Sequence, residues 1–487
     1  MKHLNINNAL SVKAIDKNTR RRDIASRMAL IGACFLFLSS PFSPANASPI
    51  TTEKSSNIDS IAVDEVWVGT GIQYQGISVG PIVYLAYFNA SRELTVSRID
   101  TKTGQVRKKT LGNTFNGWDA HNYITLNYDK NGFLHVSGNM HSSPLVYART
   151  MLPNDFDSLV LTNKMVGADE TAVTYPLFMT LSDGSLGFSF RSGSSGNGDE
   201  FINKFENGRW VRILSKPLFA PDPSGETVNA YHTSYIPRPD GYYHVAWVWR
   251  KKGGANFNFN VNYARSKDLK HWEDSHGNQI KLPITPSRSG LVDAIPVKSG
   301  LLNNIKLGFD LKGAPIISYL KYDKDGNTQL YHARLEGDTW RIVQATDWKY
   351  RWVFDYGGTL VNKITFSGVR AEQGKLYEDV YHIENSTRKF VYDPATMEKI
   401  DDQSPPKKVS SATEDVPASP LKPMRYEIHP VNKDSFKGYI KWNSLGVDNR
   451  DKPRTCESIH LKEGCSMTST LYLVGTSKGK SPGAAQR

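Results

Sequence analysis

The sequence predicts an all-β chain organised as a β-propeller, and three observations indicate this fold class. Short runs of alternating or apolar residues recur from Ile61 onward, separated by turn signals such as Asp-Lys-Asn-Gly, Pro-Asp-Gly and Glu-Asn-Gly. No helical periodicity of useful length interrupts them. The runs also repeat in register, as expected when four-stranded units are arranged as the blades of a propeller.

The repeat is clearest after two turn glycines. FLHVSGNMH follows Gly132 and YYHVAWVWR follows Gly241, so His141 and Arg250 occupy the same repeat position. The run SDGSLGFSFR, which ends at Arg191, is a looser copy. Equivalent strand ends of a propeller gather on one face of the disc. We therefore expect His141, Arg191 and Arg250 to surround one cleft.

The N-terminus has the features of a targeting segment. Three arginines at 20–22 precede the apolar run MALIGACFLFL, and small residues at Ala45 and Ala47 form an A-x-A site. The sequence predicts a signal peptide over 1–47 and secretion to the extracellular space or periplasm. The apolar run is too short for a permanent anchor, so we expect no membrane association after cleavage. A lipidated Cys34 is disfavoured because apolar residues continue past it.

The mature chain divides by composition. We predict a disordered segment at 48–60, a propeller catalytic domain at 61–400, a linker or long loop at 401–420, a C-terminal β segment packed on the propeller at 421–475 and a flexible tail at 476–487. The C-terminal segment carries Cys456 and Cys465. In an exported chain a disulfide closing a small loop is the default interpretation of such a pair. Metal binding with His460 is the weaker alternative.

The charge balance favours an anionic ligand. The 487 residues carry a formal net charge of +12. The predicted leader holds seven Lys/Arg and two Asp/Glu, so the remaining chain carries 53 − 46 = +7. No Lys/Arg run longer than three residues and no zinc-finger spacing marks the mature part, which argues against a nucleic-acid partner. We expect a monomer.

Four side chains between 117 and 198 have the types needed for β-elimination from a uronic acid: His121, His141, Tyr175 and Arg191. The C5 proton lies beside a carboxylate, whose charge must be offset before the proton can leave. Arg with one His can offset that charge, while His and Tyr can accept the proton and protonate the leaving oxygen. A lone His on a strand is more often structural, as we expect for His135 and His244.

Three motifs carry a family resemblance. GNMHSSPLVYART, RSGSSGNG followed by an aromatic strand, and HVAWVWR resemble signatures of the BNR-repeat-like polysaccharide lyases. The resemblance covers most of 60–400, extends more loosely through the C-terminal β segment, and is greatest to the shorter ulvan lyases of marine bacteria. It implies a secreted seven-bladed propeller that cleaves ulvan, a sulfated polysaccharide of rhamnose 3-sulfate and uronic acid.

The resemblance also implies residue roles. His121 and Tyr175 match the proton donor and acceptor pair, and His141 and Arg191 match the residues that neutralise the uronate carboxylate. We expect substrate contacts from Asn122, Tyr231 and Arg250. We further expect Arg191, if it lies near Tyr175, to favour the phenolate and lower the pKa of that tyrosine.

Metal sites are weakly indicated. Some members of the family hold a structural zinc through His and Cys in the strand before YARS, where this chain has Asn260 and Asn262. The sequence therefore does not predict a zinc site there. Asp199 is the single carboxylate that could indicate a calcium site. We expect catalysis to require no cofactor.

The resulting hypothesis is a lyase that cuts ulvan between rhamnose 3-sulfate and glucuronate or iduronate, leaving an unsaturated uronate end. Two alternatives stay open. A sialidase-like glycoside hydrolase could use the same fold, since SKDLKHW at 266–272 resembles an Asp-box turn without its glycine. A propeller that binds glycans without cleaving them is the other alternative.

Overall fold

The computed structural model describes residues 60–356, 358–403, 424–432, 436–446, 451–455 and 467–475. These residues form strands and two short 3-10 helices, Phe156–Ser158 and Ala255–Phe257, which confirms the all-β prediction. Within the described ranges no helix has the length and apolar character needed to cross a bilayer. The predicted signal peptide, the segment 48–59, the cysteine pair, most of the linker and the tail lie outside the described residues.

The strands succeed one another along the whole described chain. In chain order they are β1 (Ser60–Trp67), β2 (Gln75–Val79), β3 (Ile82–Phe88), β4 (Glu93–Asp100), β5 (Val106–Thr114), β6 (Ile124–Tyr128), β7 (Leu134–Gly138), β8 (His141–Ser143), β9 (Tyr147–Thr150), β10 (Leu159–Leu161), β11 (Val173–Thr180), β12 (Leu186–Ser194), β13 (Asn197–Glu206), β14 (Arg209–Arg212), β15 (Val228–His232), β16 (Ile236–Pro237), β17 (Tyr243–Lys251), β18 (Asn258–Ser266), β19 (Trp272–Glu273), β20 (Gln279–Ile280), β21 (Leu291–Asp293), β22 (Lys306–Phe309), β23 (Pro315–Tyr322), β24 (Thr328–Glu336), β25 (Thr339–Gln344), β26 (Ile364–Phe366), β27 (Arg370–Glu372), β28 (Lys375–His382), β29 (Ser386–Tyr392), β30 (Lys399–Gln403), β31 (Arg425–Asn432), β32 (Gly438–Ser444) and β33 (Thr468–Gly475).

Most sheets are built from strands that are neighbours in sequence. Their orders are β10-β9-β7-β6, β14-β13-β12-β11-β8, β15-β17-β18-β19-β20, β22-β23-β24-β25 and β26-β28-β29-β30. Strands β16, β21 and β27 pair at the margins of β17, β18 and β28. Antiparallel neighbours joined by tight turns are what the repeated hairpin signals of the sequence specify.

One sheet instead joins the two ends of the described chain. Its order is β1-β33-β32-β31-β2-β3-β4-β5, and each half of four strands is antiparallel. A short parallel link, Gly76 with Val431 and Ile77 with Asn432, connects the halves. Strand β1 pairs with β33 from Ser60↔Val474 to Trp67↔Thr468. The C-terminal strands therefore complete a sheet whose outer strand comes from the beginning of the described chain.

The sequence repeat corresponds to a repeated contact in the core. His135 on β7 and His244 on β17 are both fully buried. The Nδ1 atom of His135 lies 2.7 Å from the hydroxyl of Tyr147, and that of His244 lies 2.6 Å from the hydroxyl of Tyr263. Each tyrosine stands on the neighbouring strand. The prediction that these two histidines pack inside the fold is confirmed.

Strand β17 shows how the sheets are covered. Trp247 and Trp249 belong to one hydrophobic cluster, while Ala246 and Val248, which point the other way, belong to another. All four are completely buried. A strand with apolar side chains on both faces needs a neighbour on each face. Both faces of β17 are thus occupied by packing.

Candidate active site

The register of one sheet brings several of the predicted residues into line. His141 on β8 stands opposite Thr174 on β11, Thr174 stands opposite Arg191 on β12, and Arg191 stands opposite Glu200 on β13. Directly opposed residues of antiparallel strands are close neighbours. Two residues that are fifty positions apart in sequence, His141 and Arg191, therefore lie at the same end of the same sheet.

Tyr175 enters this group through an irregularity of β11. The pairing of β11 with β12 shifts register between Thr174 and Leu177, and Tyr175 has a φ of +55°. A bulge re-aims a side chain, and a left-handed conformation at a bulky residue costs of order 1–3 kcal/mol. The tyrosine ring centroid lies 4.8 Å from the guanidinium carbon of Arg191, 6.0 Å from the His121 ring and 6.3 Å from the His141 ring.

One carboxylate holds both histidines. Oδ1 of Asp119 lies 2.5 Å from Nδ1 of His121, and Oδ2 accepts a hydrogen bond from Nδ1 of His141. The same Oδ1 accepts the backbone N–H of His121 at 2.9 Å, which fixes the turn. Both Nδ1 atoms therefore carry a proton directed at Asp119, and both Nε2 atoms are left for other partners.

The electrostatics of this triad follow from these contacts. Burial disfavours the charged carboxylate, but hydrogen bonds from His121 and His141 hold the pKa of Asp119 well below its usual range. Burial also disfavours a charged His121 ring, yet Asp119 outweighs burial and raises the pKa of His121. An imidazole with a raised pKa and a fixed Nδ1–H is arranged to accept a proton at Nε2.

A second carboxylate approaches His121 from far along the chain. Thr359 donates its hydroxyl to Asp451 at 2.6 Å, and its Oγ1 lies 3.4 Å from Nδ1 of His121. The backbone N–H of Thr359 also donates to Asp451, at 2.9 Å. Asp451 adds to the field that raises the pKa of His121. His121, which precedes β6, and Asp451, which follows β32, are thus connected through Thr359.

Arg191 is a buried cation with open hydrogen-bonding positions. Only 2% of the residue is exposed, and none of its three side-chain nitrogens makes a hydrogen bond of good geometry to the described residues, although the Tyr231 hydroxyl lies close enough for Arg191 to favour its phenolate. Its guanidinium carbon lies 4.8 Å from the ring centroid of Tyr175 and 5.4 Å from that of Tyr231. Buried guanidinium groups are normally paired. The arrangement is that of a receptor for an anion.

Arg250 differs, because the fold already occupies its guanidinium. Nη1 donates to the hydroxyl of Tyr231 at 2.8 Å, Nε donates to Asn258 at 2.9 Å and Nη2 donates to Asn303 at 2.6 Å. Burial disfavours the Tyr231 phenolate, but Arg250 and Arg191 outweigh burial and lower the pKa of Tyr231 to about 8. Arg250 therefore positions Tyr231 and tunes its ionisation.

The prediction that Arg191 lowers the pKa of Tyr175 is wrong. Arg191 does lie close to this ring and favours the phenolate, but burial is the larger effect and raises the pKa of Tyr175 well above its ordinary value. The negative field of Tyr231 adds to the rise. Tyr175 is consequently a neutral phenol, able to donate a proton. The tyrosine with the lowered pKa is Tyr231.

The exposed and buried parts of the cluster are distinct. The side chains of His121 and His141 are each 28% exposed and that of Asp119 is 25% exposed. Arg191 and Arg250 are buried. The imidazoles are therefore the solvent-accessible part of the cluster, and the two guanidinium groups lie deeper. Beside β8 lies a cavity of about 700 Å³, whose lining includes Asn113, Asn139, Ser143 and Lys164.

Asn122, predicted to contact substrate, and Asn260 and Asn262, which replace the zinc ligands of some relatives, all have structural partners. Asn122 donates its amide to the Asp119 carbonyl at 3.0 Å. Asn260 accepts the backbone N–H of Ile295 at 3.1 Å through Oδ1, and Asn262 accepts the Ser289 hydroxyl at 2.7 Å. The amide oxygens of Asn260 and Asn262 thus accept hydrogen bonds from neighbouring loops, at the position where some relatives hold zinc.

Metal ligation is possible at one place among the described residues. One oxygen or nitrogen atom each of Asp119, His121 and His141 lies within 4.8 Å of the others. The two imidazole rings are stacked at 4.5 Å with an interplanar angle of 26°, and the carboxylate lies between their Nδ1 atoms, so hydrogen bonding already accounts for the arrangement. Asp199 is not part of that group; burial and, to a lesser extent, Asp169 raise the pKa of Asp199.

Sequence reasoning missed several members of the site. Asp119 precedes His121 by two positions in DAH, and this spacing could have suggested a carboxylate–imidazole pair. Ser195, in the glycine-serine loop, accepts the Tyr231 hydroxyl at 3.1 Å. Thr359 and Asp451 carry no local signal, because only the closure of the fold brings them to His121.

Comparisons with known proteins give a family and a set of similar structures. The BNR repeat-containing family matches residues 82–348. No curated protein matches this sequence.

Two solved structures are similar over most of the chain. The crystal structure of polysaccharide lyase Uly1 has a TM-score of 0.52 and 16% sequence identity, covering 82% of this chain and 89% of that one. The structure of a PL25 ulvan lyase bound to -[GlcA(1-4)Rha3S]- has a TM-score of 0.55 and 13% identity, covering 85% of this chain and 95% of that one. At these identities the similarity establishes a shared fold.

Proposed function

The chain belongs to the BNR repeat-containing family, and we propose that it is a polysaccharide lyase that cleaves uronate-containing chains by β-elimination. The observation that carries the proposal is the buried Arg191 guanidinium, without a protein partner among the described residues, beside two imidazoles and a neutral phenol. An unpaired buried cation needs an anion. A uronate carboxylate supplies one and places its C5 proton within the same group of side chains.

The first requirement of the reaction is to offset the negative charge that grows on the carboxylate as the C5 proton leaves. Arg191 supplies a full positive charge with a planar set of donors, which suits bidentate recognition of a carboxylate. His141 stands at the same strand end and can donate from Nε2 when protonated. Fixed donors in a site shielded from water contribute most when charge develops in the transition state.

His121 is assigned the role of base. Its Nδ1 proton is held by Asp119, with Thr359 as a more distant acceptor, so Nε2 carries the lone pair. The carboxylate stabilises the imidazolium that forms when Nε2 takes the C5 proton. The raised pKa of His121 increases the driving force for that transfer.

Tyr175 is assigned the role of acid. Burial raises its pKa, so the phenol keeps its proton at neutral pH and can deliver it to the departing glycosidic oxygen. The electron pair of the C5–H bond forms the C4–C5 double bond, and the C4–O bond breaks. The products are an unsaturated uronate end and a new reducing end.

The substrate proposed is ulvan, with cleavage between rhamnose 3-sulfate and glucuronate or iduronate. Two similar structures are named as an ulvan lyase and a polysaccharide lyase, and one was solved with a glucuronate–rhamnose 3-sulfate chain. The net positive charge of the sequence suits a sulfated chain. Secretion through the predicted signal peptide would bring the enzyme to an extracellular polymer.

The same proposal includes a seven-bladed propeller. If the eight-stranded sheet is divided at its short parallel link, its halves and the remaining five sheets make seven antiparallel units. The unit β1-β33-β32-β31 would then close the ring with strands from both ends of the mature chain.

Incubation with a panel of uronate polysaccharides tests the activity. Ulvan should give a rise in ultraviolet absorbance and products lighter than hydrolysis products by one water. His121→Ala and Tyr175→Phe should abolish the rise. His271→Ala is a matched control, since that side chain is 73% exposed on another turn. Saturated products would instead indicate a glycoside hydrolase, and binding without products a glycan-binding propeller.

A further inference from the structure

Next to Arg191 lies a buried ion pair, Glu200 with His232, that the proposed reaction does not use. Glu200 on β13 stands directly opposite Arg191 in the ladder with β12 and is only 3% exposed. Its Oε1 lies 2.9 Å from Nε2 of His232, the last residue of β15. The side chains of His232 and Glu200 are 12% and 4% exposed. The pair thus connects two neighbouring sheets behind the candidate anion receptor.

The contacts of His232 determine its charge. Nδ1 lies 2.7 Å from the carbonyl oxygen of Thr233, so this nitrogen carries a proton. Nε2 lies 2.9 Å from Oε1 of Glu200, which is ion-pair distance, although the contact lacks hydrogen-bond geometry. Burial disfavours the charged ring, but Glu200 outweighs burial and raises the pKa of His232. The contact with Glu200 therefore favours the imidazolium form of His232.

This charge affects Arg191. Glu200 is the acidic residue directly opposite Arg191, yet all three side-chain nitrogens of Arg191 lack a partner among the described residues. A buried carboxylate without a counter-ion would be costly and would gain from pairing with the nearest cation. His232 supplies the counter-ion. The other titratable groups that sense Glu200, Tyr123 and Tyr235, are phenols whose pKa burial raises, so they stay neutral.

We propose that His232 holds Glu200 in an ion pair, so that Arg191 stays unpaired and open to the carboxylate of the substrate. His232 is then a positioning residue for the uronate receptor, and Glu200 is the competing carboxylate that His232 keeps from Arg191. The inference rests on the proposed function, because it assigns Arg191 to the substrate carboxylate. It adds a specific dependence: Arg191 is free to bind a substrate carboxylate only while His232, on the neighbouring sheet, neutralises Glu200.

A double-mutant cycle tests this dependence through KM and kcat. His232→Gln leaves Glu200 without its counter-ion, so Glu200 should capture Arg191 and raise KM for ulvan about 10-fold or more. Glu200→Gln removes the competing carboxylate and should change KM by less than about 3-fold. The double variant should return KM to that of Glu200→Gln. Additive losses in the double variant would overturn the proposal, because a purely structural pair gives no such rescue.

A readout without substrate separates this inference from the proposed function. In the NMR spectrum of the wild-type protein with ¹⁵N-labelled histidine, His232 should be an imidazolium at pH 7 and become neutral in Glu200→Gln. A neutral His232 in the wild-type protein would overturn the ion-pair proposal whatever the catalytic result. If His232 is charged but ulvan and the other uronate polymers are not cleaved, the lyase function fails and the pair stands.

Discussion

The rings of His121 and His141 are stacked at 4.5 Å, and both direct Nδ1 to the single carboxylate of Asp119. Two histidines assigned different roles are therefore linked through one group. The carboxylate sets the tautomer of each ring and favours the protonated form of His121. Changing Asp119 should alter the ionisation of the site as well as its geometry.

Asp119→Asn should shift the acidic limb of the pH profile. His121 acts as base in its neutral form, so kcat/KM rises with pH through the pKa that Asp119 raises. Loss of the carboxylate lowers this pKa and moves the limb to lower pH, while kcat falls about 10²–10⁴-fold. The measurement is kcat/KM on ulvan between pH 5 and 9, with Asp325→Asn in an exposed turn as control. An unmoved limb would contradict the assignment of His121.

Tyr231→Phe should remove an alkaline loss of affinity. The pKa of Tyr231 is lowered to about 8, so the phenol is neutral below that pH and a phenolate above it. A phenolate beside Arg191 and Arg250 would compete with the substrate carboxylate. In the wild-type enzyme KM should therefore rise as pH passes about 8. The variant should show no such rise; an identical rise in both proteins would rule out Tyr231 as its source.

Arg191→Gln should lower kcat/KM on ulvan by about 10²–10³-fold, because the growing carboxylate charge loses its main counter-charge. Arg209→Gln, at an exposed position, serves as control. Methyl-esterified ulvan offers a second comparison. Its carboxyl group carries no charge, so the ratio of wild-type to variant activity should shrink. An equal ratio on both substrates would mean that Arg191 does not act on the carboxylate.

Chelation should leave the activity unchanged. The proposed reaction assigns charge neutralisation to Arg191 and proton transfer to His121 and Tyr175, and leaves no step to an ion. Dialysis against EDTA, followed by metal analysis and an activity assay, checks this expectation. Loss of activity that a divalent cation restores would instead assign Asp119, His121 and His141 to a metal.

The C-terminal strand should be essential for stability. Leu473 on β33 is fully buried and stands opposite Ile61 on β1 and Ile440 on β32. Leu473→Ala should lower the free energy of unfolding by about 2–5 kcal/mol through lost burial and a cavity. Ile400→Ala is a suitable control because that residue is 55% exposed, and its effect should stay within about 0.5 kcal/mol. Denaturant unfolding measures both.

The amino-acid sequence predicts many of the strands and the kinds of side chain in the candidate site. The alternation of FLHVSG and YYHVAWVWR predicts the strands β7 and β17. This works because the period-two pattern and the turn residues are local properties of a strand and its hairpin. Their common register is followed only in part, because Arg250 lies near the end of β17 whereas His141 begins the separate strand β8 of another sheet. His121, His141, Tyr175 and Arg191 do come together, as their residue types and the family resemblance predicted.

The tertiary structure decided the ionisation of the site and the closure of the fold. Arg191 near Tyr175 predicted a phenolate, but burial outweighs that attraction, and the depth of a side chain is set by distant neighbours. The pairing of β1 with β33 joins strands that are about four hundred residues apart, and no local pattern encodes such a partner. Local periodicity therefore specified the strands and the kinds of side chain at their ends. Long-range packing determined which groups meet, how deeply each is buried and which of them keeps its proton.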